Sequence, residues 1–136
     1  MNVSHHMNAA IEFHDSDVQL AEGADDTFRI LFSAAYVHRS EDRPGVDAGA
    51  GYIQAAELVF STASWSKPSV DCVGDLSDGW VTVNGEKLSL IPLPFSASGK
   101  VFAEFVFVSG AVLSVSASSI ACSPIGEARF VENYAA

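Results

Sequence analysis

Basic residues are scarce in this sequence. It carries 7 Lys and Arg against 17 Asp and Glu, so the formal net charge is −10 and the pI is near 4.5. Proteins that bind nucleic acid neutralise phosphates with clustered Lys and Arg, and anionic membrane surfaces attract the same side chains. The charge balance therefore argues against a nucleic-acid partner and against docking on a membrane, and it favours basic partners.

Long apolar runs are also missing. The most apolar stretch, Val101–Val115, is interrupted by Glu104 and Gly110, whereas a membrane-spanning helix needs about 20 consecutive apolar residues. The N-terminus contains neither the basic segment nor the apolar segment of a secretory signal peptide. We therefore expect a cytoplasmic protein in which residues 1–10 form a flexible N-terminal segment.

Cysteine is rare. Cys72 and Cys122 are the two cysteines of the chain, and neither belongs to a C-x-x-C pair. This argues against a zinc ribbon or a thioredoxin-like redox site, and a disulfide between them would not persist in a reducing cytoplasm. Cys122 follows Ile120 and Ala121, and this apolar setting predicts a buried, unreactive thiol.

The sequence motifs of several enzyme classes are absent. There is no G-x-S-x-G, no H-E-x-x-H and no G-K-[ST], so a nucleophile elbow, a zinc protease helix and a phosphate-binding loop have no support. We therefore name no catalytic residue from the sequence. In general style the chain resembles the compact all-β domains of bacterial proteins, a likeness that assigns no role to any residue.

The pattern that is present is alternation with a period of two. Phe28–His38 is rich in aromatic and branched residues and is flanked by polar turns, which predicts a long strand. Ile11–Leu20 predicts an earlier strand with four apolar positions, Ile11, Phe13, Val18 and Leu20. With 49% hydrophobic and 18% charged residues, 136 residues suit one folded domain, which we place at residues 11–136.

Two tight turns predict hairpins. Asn84-Gly85 follows Trp80–Val83 and suits the two positive φ angles of a type I′ turn. Ser109-Gly110 joins Val101–Val108 to Ala111–Ser116, an arm in which apolar residues alternate with serines. Such alternation places one face of a sheet on the core and the other toward water.

These patterns predict an all-β fold. We expect a single-domain antiparallel β-sandwich, jelly-roll-like, or a small barrel, with about six to eight strands and at most one short helix. Tyr52–Phe60 suits either a strand or a helix, and we favour the strand. Glu127–Tyr134 suits a final strand or a short helix equally. Pro92–Gly99 contains two prolines and is expected to be an edge or crossover segment.

Acidic residues recur in two polar stretches. In the first, strand alternation would place Asp15 and Asp17 on one face and His14 on the other. The second stretch supplies three more carboxylates, Asp71, Asp75 and Asp78. Exposed Asp side chains and turn hydrogen bonds explain both stretches without a ligand. A cation site on these five residues, with Ca²⁺ as the ion, is the alternative, and no other cofactor is expected.

Four side chains near predicted loops are candidates for contacting a ligand or a partner: Tyr36, His38, Tyr52 and Trp65. Aromatic rings stack on ligands or anchor partners, and a histidine at a strand end can exchange protons near neutral pH. Core packing is the alternative for these rings. A further aromatic residue near a loop, Trp80, begins a hairpin arm and is expected to point inward. Trp65, between two serines, is the aromatic residue expected to be most exposed.

No pattern in the sequence specifies an activity. We expect a non-enzymatic module that binds a protein partner or a small ligand through its loops 39–51 and 64–79, with a homodimer as a further option. The alternative is a hydrolase or metal-dependent enzyme whose site gathers Asp and His residues at strand ends, namely Asp15, Asp17, His38 and residues 71–78. A mimic of nucleic acid would need its carboxylates on one face, but they are spread from Glu12 to Glu132.

Overall fold

The fold consists of antiparallel strands, and no helix occurs within residues 8–134, the part of the chain that the computed structural model describes. The all-β prediction is thereby confirmed. The strands are β1 (Asn8–Ala24), β2 (Thr27–Ser40), β3 (Gly49–Ser61), β4 (Ser64–Trp65), β5 (Gly74–Val83), β6 (Glu86–Leu88), β7 (Leu90–Pro92), β8 (Phe95–Phe107) and β9 (Val112–Tyr134). These nine strands exceed the predicted six to eight because β4, β6 and β7 are segments of only two or three residues.

The two segments that suited either a strand or a helix are both strands, since Tyr52–Phe60 lies in β3 and Glu127–Tyr134 lies in β9. At the N-terminus, β1 begins at Asn8, inside the segment that was predicted to be flexible. Residues 1–7 of that segment lie outside the described residues. Over residues 8–134, no helix is long and apolar enough to cross a membrane.

The sheet closes on itself. β1 pairs with β2, β2 with β3, β3 with β9, β9 with β8, and β8 with β5. β5 then pairs back to β1 through Asp17–Asp75 and Val18–Gly74. Because this pairing completes a circuit, the architecture corresponds to the small barrel of the two predicted alternatives.

Alternating side chains fill the inside of the barrel. In β2, Phe28, Ile30 and Phe32 are fully buried, while Arg29 and Ser33 are exposed on the outer face. Six of the largest fully buried side chains are phenylalanines: Phe13, Phe28, Phe32, Phe60, Phe105 and Phe107. Each such burial contributes about 1.5–3 kcal/mol to folding, as does the burial of the Ile and Leu side chains beside them.

The predicted hairpins are present. Asn84 and Gly85 have φ angles of 51° and 86°, the two positive values that a type I′ turn requires. This turn joins β5 to β6, with Val83 opposite Glu86. The second hairpin joins β8 to β9, with Val106 opposite Val112. In β9, Leu113 and Val115 are buried and Ser116 is exposed, as the serine alternation predicts.

One inward assignment is wrong, and one apolar position of the first strand lies outside the core. Leu20 is 38% exposed, because register shifts along β1 between Asp17 and Leu20 rotate its side chain off the core face. Trp80 is half-buried beneath Lys87, whose ammonium lies 5.0 Å from the ring centroid, and not in the core. Its neighbour Val81 takes the inward position of β5 instead.

Both cysteines are buried, and neither forms a disulfide bond. Burial raises the pKa of the Cys122 thiol to about 12, because the thiolate would lose its hydration among apolar side chains. The predicted buried thiol is therefore confirmed.

The proline-rich segment crosses one end of the barrel. Leu93 donates its backbone N–H to the Ala9 carbonyl at 2.9 Å on β1, and Phe95 pairs with Cys122 on β9. The Leu93 side chain is buried against the core. The segment therefore crosses over the core, as expected. The ends of β2 and β9 and the start of β3 lie at the same end of the barrel.

Candidate functional site

The barrel wall is weakest where β1 meets β5. Only two residue pairs join these strands, at Asp17–Asp75 and Val18–Gly74. Farther along, β1 pairs with β7 and β5 pairs with β6, so the two long strands separate. A groove lies over the outer face of this seam.

A bulge in β1 shapes the groove. Glu12 lies opposite Tyr36, and the next pair is Asp17 with Ala34, so four residues of β1 face a single residue of β2. Asp15 occupies the left-handed region with a φ of 70°, a conformation that Asp tolerates better than most residues.

Ser16 holds the bulge together from inside. Its side chain is fully buried, and its hydroxyl donates to the Glu12 carbonyl at 2.6 Å. The same oxygen accepts the Tyr36 backbone N–H at 2.9 Å. The hydroxyl thereby replaces the ladder hydrogen bonds that the bulge interrupts, and it fixes the backbone on which the groove side chains stand.

The bulge brings three metal-ligating side chains together. Glu12, His14 and Asp15 each offer one ligand atom, and these atoms lie within 4.8 Å of one another. His14 Nδ1 is 3.4 Å from Asp15 Oδ2, and both side chains are more than half exposed. No other such cluster of His, Cys, Asp or Glu occurs in the described residues.

Two residues of β2 extend this cluster. His38, with a side chain only 14% exposed, places Nε2 3.4 Å from Glu12 Oε2. The Tyr36 ring meets the His38 ring edge-on at 5.1 Å, and the Tyr36 hydroxyl donates to Glu132 Oε1 at 2.6 Å. Glu12, His38, Tyr36 and Glu132 are thus linked across the outer ends of β1, β2 and β9.

The groove consists of two adjacent hollows of about 270 and 390 Å³ that share Glu12, His38 and Gly45. Asp78 of β5 lines the first hollow and accepts the Gly79 N–H at 2.8 Å. Four carboxylates line the two hollows: Glu12, Asp15, Asp78 and Glu132. No Lys or Arg is among the described residues that line them, so the surface is anionic.

The structure separates the four predicted ligand-contact residues. Tyr36 and His38 lie in the groove. Tyr52 lies on the opposite, inner face of the sheet beside Arg39. Trp65 is half-buried rather than exposed, because its ring packs 5.2 Å from Phe28.

The five predicted cation ligands are also divided. Asp15 and Asp78 line the groove, whereas Asp17 accepts a hydrogen bond from Ser33 and lies opposite Asp75 at the seam. Asp71 lies in the loop before β5. The expectation that His14 lies on the face opposite Asp15 is wrong, because the bulge brings these two side chains together.

Sequence reasoning missed two groove residues, Glu12 and Glu132. Four consecutive polar residues, from His14 to Asp17, interrupt an apolar alternating strand, and this interruption was the available signal of the bulge. Glu132 had no comparable signal, because only strand pairing brings β9 beside Tyr36. No protein-family model, curated protein or solved structure matches the chain.

Proposed function

We propose that the protein is a non-enzymatic binding module that takes a small cation in the groove at the β1–β5 seam. The observation that carries the proposal is the composition of the groove, in which four carboxylates and two imidazoles meet without a Lys or Arg. Like charges gathered on one surface repel one another, and a bound cation relieves that repulsion. The net charge of −10 adds a long-range attraction for the same ligand.

A divalent metal ion is the cation that fits best. Glu12, His14 and Asp15 supply two oxygens and one nitrogen within 4.8 Å, a mixed set that suits Zn²⁺ or Mn²⁺. Ca²⁺ prefers six to eight oxygen ligands, so it fits this set less well than the sequence suggested. The exposed His14 and Asp15 side chains have room to turn toward the ion.

Calorimetric titration at low ionic strength tests the proposal with Mn²⁺, Zn²⁺, Ca²⁺, Mg²⁺ and the organic dication putrescine. We expect saturable binding of Mn²⁺ or Zn²⁺ that is weakened by Glu12→Gln and also by added salt. Glu22→Gln on the same strand, outside the groove, is the matched control and should leave binding unchanged. Binding that is absent, or that Glu12→Gln leaves intact, would contradict the proposal.

A metal-dependent hydrolase is the second candidate, favoured by the His38–Glu12 pair beside the ligand cluster. A bound ion could activate a water, and His38 could accept its proton while Glu12 orients the ring. Hydrolysis of bis-p-nitrophenyl phosphate by the metal-loaded protein, lost in His38→Gln, would support this candidate. We expect no turnover, as a binding module requires.

The homodimer stays a prediction. Within the described residues, the C-terminal half of β9 pairs only with β3, and its apolar side chains Ile125, Phe130 and Val131 are exposed. An unpaired edge of this kind favours association between strands. Light scattering over a range of protein concentrations tests it, and a monomer at every concentration would remove the dimer.

A further inference from the structure

Arg39 stands on the inner face of the sheet, away from the groove. It follows the fully buried Val37 by two residues on β2, so both side chains project from the same face. Its cross-strand neighbours are Ala9 on β1 and Ala50 on β3, both with small apolar side chains. The guanidinium therefore lies on the inner face near the end of β2, beside the side chains of Gln54 and Tyr52.

No carboxylate among the described residues pairs with this guanidinium. Its Nη2 lies 3.4 Å from Gln54 Oε1, and its central carbon lies 4.7 Å from the centroid of the Tyr52 ring. Its Nε is buried and has no hydrogen-bond partner in the described part of the chain. A buried donor left without an acceptor is unfavourable, and it is rare in folded proteins.

Two other arginines of the chain are paired with carboxylates. Arg29 binds Glu57, and Arg43 binds Asp47 through two hydrogen bonds of 3.0 and 3.1 Å. These contacts raise the pKa of both guanidinium groups. The fourth arginine, Arg129, is exposed, so Arg39 is the one half-buried arginine of the chain, and no ion pair with a described carboxylate includes it.

We infer that Arg39 is the anchor of a second ligand site, which takes a small aromatic carboxylate on the inner face of the sheet near the end of β2. Arginine offers its donors in a planar fork that matches the two oxygens of a carboxylate. Gln54 is held in place because its Nε2 donates to the Gly126 carbonyl at 2.9 Å, so its Oε1 stays directed at Arg39.

The neighbouring rings define the rest of the ligand. The Phe130 ring meets the Tyr52 ring edge-on at 5.8 Å, and Phe130 is 54% exposed. An exposed phenylalanine beside a stacked tyrosine offers apolar surface for a flat ring. A ligand with a carboxylate at one end and an aromatic body at the other satisfies both Arg39 and this surface.

Nuclear magnetic resonance of the arginine Nε–H groups tests the inference directly. Three probes are titrated into the wild-type protein: benzoate, its neutral analogue benzamide, and N-acetylphenylalanine, which represents a peptide C-terminus. We expect benzoate to shift the Arg39 Nε–H signal saturably and benzamide to leave it unchanged. A stronger response to N-acetylphenylalanine than to benzoate would identify a peptide end as the source of the carboxylate.

Two variants complete the test. Arg39→Lys keeps the charge but loses the fork, so it should weaken benzoate binding by about tenfold or more. Arg43→Lys removes a fork that is already paired on the outer surface and should have no effect. An Arg39 Nε–H signal that benzoate does not move in the wild-type protein would overturn the inference, whether or not the variants fold. The result is independent of the cation groove, which lies on the other face of the sheet.

Discussion

Replacing Ser16 with alanine tests how the bulge supports both the fold and the groove. The substitution removes a hydroxyl that donates to the Glu12 carbonyl at 2.6 Å and accepts the Tyr36 N–H at 2.9 Å. Ser16 is fully buried, so water does not take the place of the hydroxyl without a change in structure. Each backbone group that loses its partner in a buried setting costs about 1–3 kcal/mol.

The two lost hydrogen bonds therefore predict a destabilisation of about 2–6 kcal/mol for Ser16→Ala. A domain of this kind has a free energy of unfolding of about 5–15 kcal/mol, so we expect the variant to fold with a much reduced stability. Urea denaturation measures the change as a lower midpoint with an unchanged slope. We also expect weaker cation binding, because the Glu12 and Tyr36 backbones lose their shared partner.

Ser33→Ala is the matched control for this prediction. Ser33 lies on the exposed side of β2, and its hydroxyl donates to the Asp17 carboxylate at 2.9 Å. Its loss should change stability by no more than about 0.5 kcal/mol. If Ser16→Ala costs no more than Ser33→Ala, the Ser16 hydroxyl does not hold the bulge, and the reasoning is refuted.

Two further predictions concern the seam and the core. Asp75→Asn should raise the free energy of unfolding by about 0.2–1 kcal/mol in urea denaturation, because Asp75 lies directly opposite Asp17, whereas Asp71→Asn should change little. Cys122 has a folded-state pKa of about 12, above the unfolded value, so its contribution to stability is complete below pH 8 and is lost as the pH rises toward 12. With an unfolded thiol pKa of about 8.5, the wild-type protein should lose about 2 kcal/mol of its free energy of unfolding by pH 10. Denaturation of Cys122→Ala over the same pH range should not show this loss.

The sequence predicts the fold class well because strand alternation and tight turns are local properties. Phe28–His38 and the Asn84-Gly85 turn carry their structure in adjacent residues, and the structure agrees with both. The closure of the barrel could not be predicted, because only two residue pairs complete it and they lie far apart in the chain. Pairing between distant strands is set by the whole core and not by local pattern.

The candidate sites were predictable only in part. Tyr36 and His38 were identified because aromatic and titratable residues stand out at a strand end. A single bulge then brought His14 and Asp15 together, although regular strand alternation predicts that they lie on opposite faces. Arg39 carried no signal, because the absence of a partner carboxylate is visible only in three dimensions.

Paramagnetic broadening by Mn²⁺ is the most direct test of the proposed groove. Trace Mn²⁺ is added to the ¹⁵N-labelled protein, and the loss of each backbone amide signal is followed along the chain. Binding at the seam predicts that residues 12–15 and 36–38 broaden first, with the acidic loop at residues 71–75 affected later. Broadening that begins in that loop, or that spreads evenly over the acidic surface, would contradict a cation site built on the β1 bulge.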